Sequence, residues 1–364
     1  RNWDYRYTWI RDASFTLWGL YTLGFTAEAD DFFDFVAEVA GGEDDRLQIM
    51  YGIGGERKLT EVELEHLSGY AGSRPVRIGN GAYDQAQHDV WGMLLDSIHL
   101  HTTSVGALPD RLWPLVERQV EQALAHWRRP DSGIWEVRGG PQHFTCSKVL
   151  CWVAADRGAE LAEARGALEQ AQRWRAAAEQ IHADVCAHGV DERGVFTQHY
   201  ATTALDASTL LIPLMGFLPP GDPRVRATVL AIADDLTESD LVLRYRVEET
   251  DDGLSGAEGT FVICSFWLVS ALVEIGEVDR ADDLCRLLLH HASDLGLLAE
   301  ELDAHSGQHL GNTPQAFSHL ALINAVMRLI RAGQAEPGRF VPPSRTTERD
   351  RRRIRGPRPS LRSP

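Results

Sequence analysis

The run GTFVICSFWLVSALVEI at residues 259–275 is apolar on every side of a helix, with Phe261, Val262, Ile263, Cys264, Phe266, Trp267, Leu268 and Val269 leaving no polar stripe. A helix of that kind has to be buried all round. Ser265 and Ser270 interrupt it, and it falls short of the ~20 apolar residues a bilayer requires, so it belongs to a protein interior. The segment that follows, 278–292, is amphipathic instead. A buried helix followed at once by a half-buried one reads as a hairpin with an inner and an outer arm.

The same alternation extends in both directions. Segments 8–23, 86–101, 144–155, 206–217 and 314–331 are also apolar nearly all round, whereas 26–40, 111–128, 167–188 and 223–236 are amphipathic. In 111–128, for example, Leu112, Val116, Val120, Ala123 and Trp127 mark one face, with Glu117, Arg118, Glu121 and Arg128 elsewhere. About six inner helices alternating with about five outer ones predict an all-α fold, an (α/α) barrel of helical hairpins with its first outer helix missing before residue 1. Strand-like runs such as 241–247 are short. Inner-to-outer connections are short, at 24–25, 218–222 and 276–277. The outer-to-inner ones, 41–85, 129–143, 189–205, 237–258 and 293–313, are long and rich in Gly, Asp, His and aromatic residues. All of these emerge at one end of such a barrel, where a site is expected.

Composition bounds the function. The 364 residues are 44% hydrophobic and 24% charged, which is ordinary for a globular chain. The net charge is −17, and because residues 345–364 hold eight Arg against Glu348 and Asp350, residues 1–344 carry about −23. So acidic a body argues against nucleic acid and against an anionic membrane as partners, and suits a neutral ligand such as a sugar. Lys58 and Lys148 are the only lysines among 36 basic residues, a skew that fits either genome composition or phosphate recognition. Cys146, Cys151, Cys186, Cys264 and Cys285 are odd in number and set among apolar residues, so they read as reduced core thiols of a cytoplasmic protein. The C-x4-C pair at 146 and 151 lacks the partners of a metal site, and no metal is expected. Residues 1–332 read as one barrel and 333–364 as a disordered Pro/Arg-rich tail. A chain that starts at Arg1 within a chemically loaded segment is expected to have lost something upstream.

Three long segments carry candidate chemistry. In GIWEVRG at 133–139, Glu136 follows an indole and precedes Arg138, so it is either a proton donor raised by an apolar wall or half of a surface salt bridge. In LLAEELD at 297–303, Glu300 or a neighbouring acid could activate a water; helix-end acids near a dipole fit equally. The opening segment brings Trp3, Asp4, Tyr5, Tyr7, Trp9, Arg11 and Asp12 together at the start of an inner helix, either as a sugar platform with a charged grip or as a structural ion pair. Two more loops add Arg77, Asn80, Tyr83, Asp84 and Gln85, then Arg244, Tyr245, Arg246, Glu248, Glu249 and Asp251. Acids sharing one rim and facing each other across a pocket point to a hydrolase.

The motifs Y-x-W-I-R-D at 7–12, G-I-W-E at 133–136, L-R-Y at 243–245, E-G-T-F at 258–261, A-E-E-L-D at 299–303 and P-Q-A-F-S-H at 314–319 occur in this order. Over roughly 1–332 the chain resembles glycoside hydrolase family 15, the glucoamylase family of six-hairpin glycosidases. The resemblance implies an (α/α)6 barrel, here without the N-terminal β-sandwich usual in bacterial members, and an inverting mechanism. It makes Glu136 the general acid and Glu300 the general base. Arg11 and Asp12 would grip the sugar whose bond breaks, with Trp9, Trp135, Arg244, Glu248 and Glu301 as substrate-binding walls.

Within that family, RNWDYRYTWIRDASF at 1–15, GGER at 54–57, NGAY at 80–83 and RYRVEETDDGL at 244–254 look most like the actinobacterial α,α-trehalases. The implied reaction is trehalose catabolism to two glucoses. An exo-hydrolase of α-glucans or maltooligosaccharides and an inactive carbohydrate-binding barrel are the alternatives. The residues give evidence of no cofactor, while the resemblance leaves open a dependence on phosphate and magnesium, and homo-oligomerisation is open as well.

Overall fold

The computed structural model describes residues 3–25, 27–40, 47–254, 256 and 258–334. Among them are eleven α-helices: α1 (Ile10–Leu23), α2 (Ala27–Ala40), α3 (Asp89–Val105), α4 (Trp113–His126), α5 (Thr145–Arg165), α6 (Leu168–His188), α7 (Leu211–Leu214), α8 (Pro223–Asp235), α9 (Val262–Glu274), α10 (Val278–His290) and α11 (Ala316–Gln334). The odd-numbered helices pack in the order α1, α3, α5, α7, α9, α11 and back to α1, which closes the inner ring. Outer helices lean on it, with α6 on α5, α8 and α10 on α9, and α4 between α3 and α5.

The run that suggested the fold behaves as its sequence demands. Every residue of α9 is buried, including Glu274, which pairs with Arg328 of α11. Truncating Phe266 or Trp267 to Ala would leave a cavity costing ~3–5 kcal/mol. The inner-to-outer turns are tight because a residue in the left-handed region ends the helix: Gly24 (φ 91) closes α1, where any other side chain would be strained.

Four sequence expectations need correction. The inner arm expected over 206–217 is only a 3-10 turn, Ala207–Leu210, followed by α7, since Pro213 withholds an N–H and Gly216 (φ 72) turns the chain away. The helix expected over 144–155 continues to Arg165 through an Ala- and Glu-rich stretch that favours helix. The helix expected to be buried all round at 314–331 is not: in α11, Leu322, Ile323, Val326 and Met327 are half-buried and Ile330 is exposed, because among the described residues no outer helix covers its junction with α1. It also runs two residues past the boundary expected at 332; the tail from 335 lies outside the described residues.

The long outer-to-inner connections do gather at one end. Seven of the nine two-residue strands among the described residues lie in them, and the strands pair as short clips, such as Thr8–Trp9 with Met50–Tyr51. A three-stranded clip joins Thr260–Phe261, Glu301–Leu302 and His309–Leu310.

Candidate active site

A pocket of about 410 Å³ opens among these connections, within the ~300–1,000 Å³ usual for small-molecule sites. Trp9, Arg11, Asp12, Trp135, Glu136, Arg244, Glu300 and Glu301 all line it. Glu248 does not: its side chain is 65% exposed and stands 3.9 Å from Arg246. The carboxylate that reaches Arg244 is Glu258, which accepts from Arg244 Nε at 2.7 Å and also from Nη2. Glu248 was expected as a pocket wall from the family resemblance; the signal for Glu258 was the E-G-T-F motif itself, whose acid had been given no role.

Glu136 sits in a turn that reverses the 129–143 connection. Gly133 (φ 68) packs under the Phe144 ring, where a Cβ would lie 2.8 Å from a ring carbon, so the turn requires glycine. Glu136 itself has φ 58, a costly conformation for a residue with a Cβ. It persists because the side chain is tied down: Oε1 accepts from Trp9 Nε1 at 2.8 Å and from Arg11 Nη2 at 3.3 Å. The surface salt bridge to Arg138 is not formed, as Arg138 turns to Glu61. The Trp135 indole packs against Phe261 and Trp267 and donates to Asp206 at 2.8 Å.

Glu300 is seated differently. Its backbone is hydrogen-bonded to Asn312 and Val262, and its carboxylate accepts from Asn312 N at 3.0 Å and from Tyr5 Oη at 2.6 Å. Gly311 (φ 67) leaves room for it; a Cβ there would stand 2.5 Å from Oε2. The Tyr5 ring packs edge-on against Trp9 at 5.6 Å, and Trp9 holds Glu136. One short run therefore touches both carboxylates, a link that was invisible because Tyr5 read only as one of several aromatics.

Asp12 faces the pocket with 37% of its side chain accessible and lies 3.7 Å from Arg11. Burial by the surrounding protein pushes its carboxyl up to about 6 against the opposing pull of Arg11. The guanidinium of Arg11 has closer partners in Asp89 at 3.2 Å and Gln87 at 3.1 Å, so a simple Arg11–Asp12 ion pair is not what holds the segment. Glu301 accepts from Gly259 N at 2.8 Å, and burial together with the charges of Glu300 and Glu258 pushes it up to about 7. The described residues contain no group of three or more His, Cys, Asp or Glu that could hold a metal ion. No described helix is long and apolar enough to cross a membrane.

The sequence profile of glycosyl hydrolases family 15 matches residues 1–277 and 277–327. The chain is 66% identical over 347 residues to a trehalase of Mycolicibacterium smegmatis, covering 94% of this chain and 52% of that protein. It is 68% identical over 335 residues to a trehalase of Mycobacterium tuberculosis, covering 91% and 49%. The chain thus spans about half the length of these curated relatives. Among solved structures, a glucoamylase of Saccharomycopsis fibuligera superposes with a TM-score of 0.72 at 13% identity, covering 91% of this chain and 87% of that one. That likeness concerns the fold alone: both are toroids of helical hairpins.

Proposed function

The chain belongs to glycosyl hydrolases family 15, and from that premise we propose that it hydrolyses trehalose to two glucoses with inversion, Glu136 serving as general acid and Glu300 as general base. The observation that carries the reading is the pair of glutamates on one 410 Å³ pocket, held from separate seats and bridged by Tyr5 and Trp9. The names of the relatives at 66% and 68% identity supply the substrate.

In this mechanism Glu136 donates to the oxygen bridging the two rings. Both of its donors fall on Oε1, which leaves Oε2 for the proton. Glu300 takes a proton from a water on the opposite face while positive charge develops on the ring, and an inverting pair separated by about 6.5–9.5 Å leaves room for that water. Arg11 and Asp12 hold the hydroxyls of the ring being cleaved, and Trp9, Trp135, Arg244 and Glu301 complete its walls. The partner is a small neutral disaccharide, and an acidic body of about −23 suits neither nucleic acid nor an anionic membrane. Five unpaired cysteines, four of them buried, support a reducing, cytoplasmic setting. Residues 1–334 form the catalytic barrel in this reading.

Proton NMR of the first products tests the proposal. Inversion yields one α- and one β-glucose from each trehalose. Two α anomers would overturn it, and turnover of maltose without trehalose would favour an exo-acting glucan hydrolase.

A further inference from the structure

We propose that Trp3, Arg138 and Asn80 form the wall that receives the leaving sugar ring, and that this wall sets the preference for a substrate with a second ring. The inference rests on the trehalose reading and extends it to residues that the acid, the base and the Arg11–Asp12 grip do not use.

All three residues line the pocket that holds Glu136 and Glu300. The guanidinium carbons of Arg138 and Arg77 lie 4.8 and 4.6 Å from the centre of the Trp3 ring. Glu61 ties them together: it accepts from Arg138 Nη1 at 3.0 Å and Nη2 at 2.6 Å, and it stands 3.3 Å from Arg77 Nε. Gly81 N donates to the same carboxylate at 2.9 Å. Burial alone would raise the Glu61 carboxyl, but the bonds from Arg138 and Gly81 outweigh it and keep it low and charged.

The wall is braced from behind as well. Arg138 N donates to Asp252 O at 2.8 Å, and Gly253 approaches so closely that a Cβ would stand 2.5 Å from the Arg138 carbonyl carbon. Asp4 accepts from Gly79 N at 3.0 Å, which fixes the run carrying Trp3 to the loop carrying Asn80.

Guanidinium groups held over an indole present N–H donors for the hydroxyls of a pyranose at the margin of an apolar ring. Glu61 uses two of the donors of Arg138, and a guanidinium has five. Asn80 is buried, lines the pocket, and uses its Oδ1 to accept from Ala82 N at 2.9 Å, so its amide N–H groups are the donors it has to offer a hydroxyl. The position of the acid assigns the ring. Arg138 follows Glu136 by two residues on the same turn, and the acid protonates the oxygen that leaves with the departing ring, so the wall is assigned to that ring.

The test compares trehalose with α-D-glucopyranosyl fluoride, whose leaving group is a single atom, in the full chain carrying Trp3→Ala, Arg138→Ala or Arg138→Lys. The expected result is a fall in kcat/KM of about tenfold or more on trehalose, mainly through KM, with less than about twofold on the fluoride. An equal fall on both substrates, or none on trehalose, overturns the proposal. Should Arg138→Ala not fold, as judged by its melting curve, Arg138→Lys decides, since it keeps the charge and loses the paired bonds to Glu61. A wild-type chain that cleaves the fluoride and maltose but not trehalose refutes the trehalose reading alone, and the same variants on maltose then decide the wall by the same margin. A chain without turnover is decided by calorimetry: the variants must weaken trehalose and spare methyl α-glucoside, or the wall is refuted.

Discussion

Glu136 and Glu300 are the same residue on the same pocket, yet their seats share almost nothing. Glu136 is held by side chains, an indole and a guanidinium from the first inner helix and the strand before it, on a backbone with φ 58. Glu300 is held by strand pairing, a peptide N–H and one phenol, with Glu301 as its sequence neighbour and Arg244 already committed to Glu258. The first seat is built of cationic and indole donors, the second is crowded by acids. Two carboxylates can therefore be given different tasks by their surroundings without any change of residue.

The sharpest way to break this comparison is to remove each carboxylate and change the leaving group. Glu136→Gln and Glu300→Gln are each expected to lower kcat on trehalose by about 10²–10⁴-fold. On α-glucosyl fluoride, which departs without a proton, Glu136→Gln should recover most of its rate and Glu300→Gln should not. The opposite pattern would exchange the two roles. Next in size, Tyr5→Phe removes the 2.6 Å bond to Glu300 and keeps the ring on Trp9; a hydrogen bond to a charged group corresponds to a loss of about 10–100-fold in kcat.

The crowding of the second seat has its own signature. Glu301 titrates at about 7 instead of 4.5, so the folded chain keeps a proton that the unfolded chain gives up. Stability from this group is present below about 4.5 and declines as pH rises through 7. Glu301→Gln should consequently match wild type in acid and exceed it by about 1–3 kcal/mol at pH 8, read from paired thermal melts. An unchanged difference across that range would remove the account of Glu301 as a carboxyl raised by burial and by its acidic neighbours. The smallest effect belongs to Glu248, which stands apart from both seats: Glu248→Ala should alter stability by less than about 0.5 kcal/mol and leave kcat/KM alone.

What the sequence disclosed follows from periodicity. Residues that repeat every three or four positions report which helix face is covered, so the inner helix at 259–275 and its outer partner were legible before any coordinates. The half-buried face of α11 was not, because an apolar run states what a helix needs and not which neighbour supplies it. At the site, motif residues such as Arg11, Glu136 and Glu300 were found, and all line one pocket. The pairings were not legible: Arg244 is joined by Glu258, which a turn delivers, and Arg138, one of two possible settings for Glu136, is joined by Glu61, 77 positions away. Hydrogen bonds between loops depend on where the barrel sets those loops down, and a linear pattern carries no record of that.

The run from Tyr5 to Trp9 constrains how this chain can diverge. In the proposed mechanism a substitution there is felt at proton donation and at water activation together, so selection cannot adjust one step through it without disturbing the other. The side chains of Arg138 and Asn80 are engaged elsewhere, with Glu61 and with Ala82 N. Descendants of this sequence are free to acquire new sugar preferences at that outer wall while the chemistry behind it is inherited unchanged.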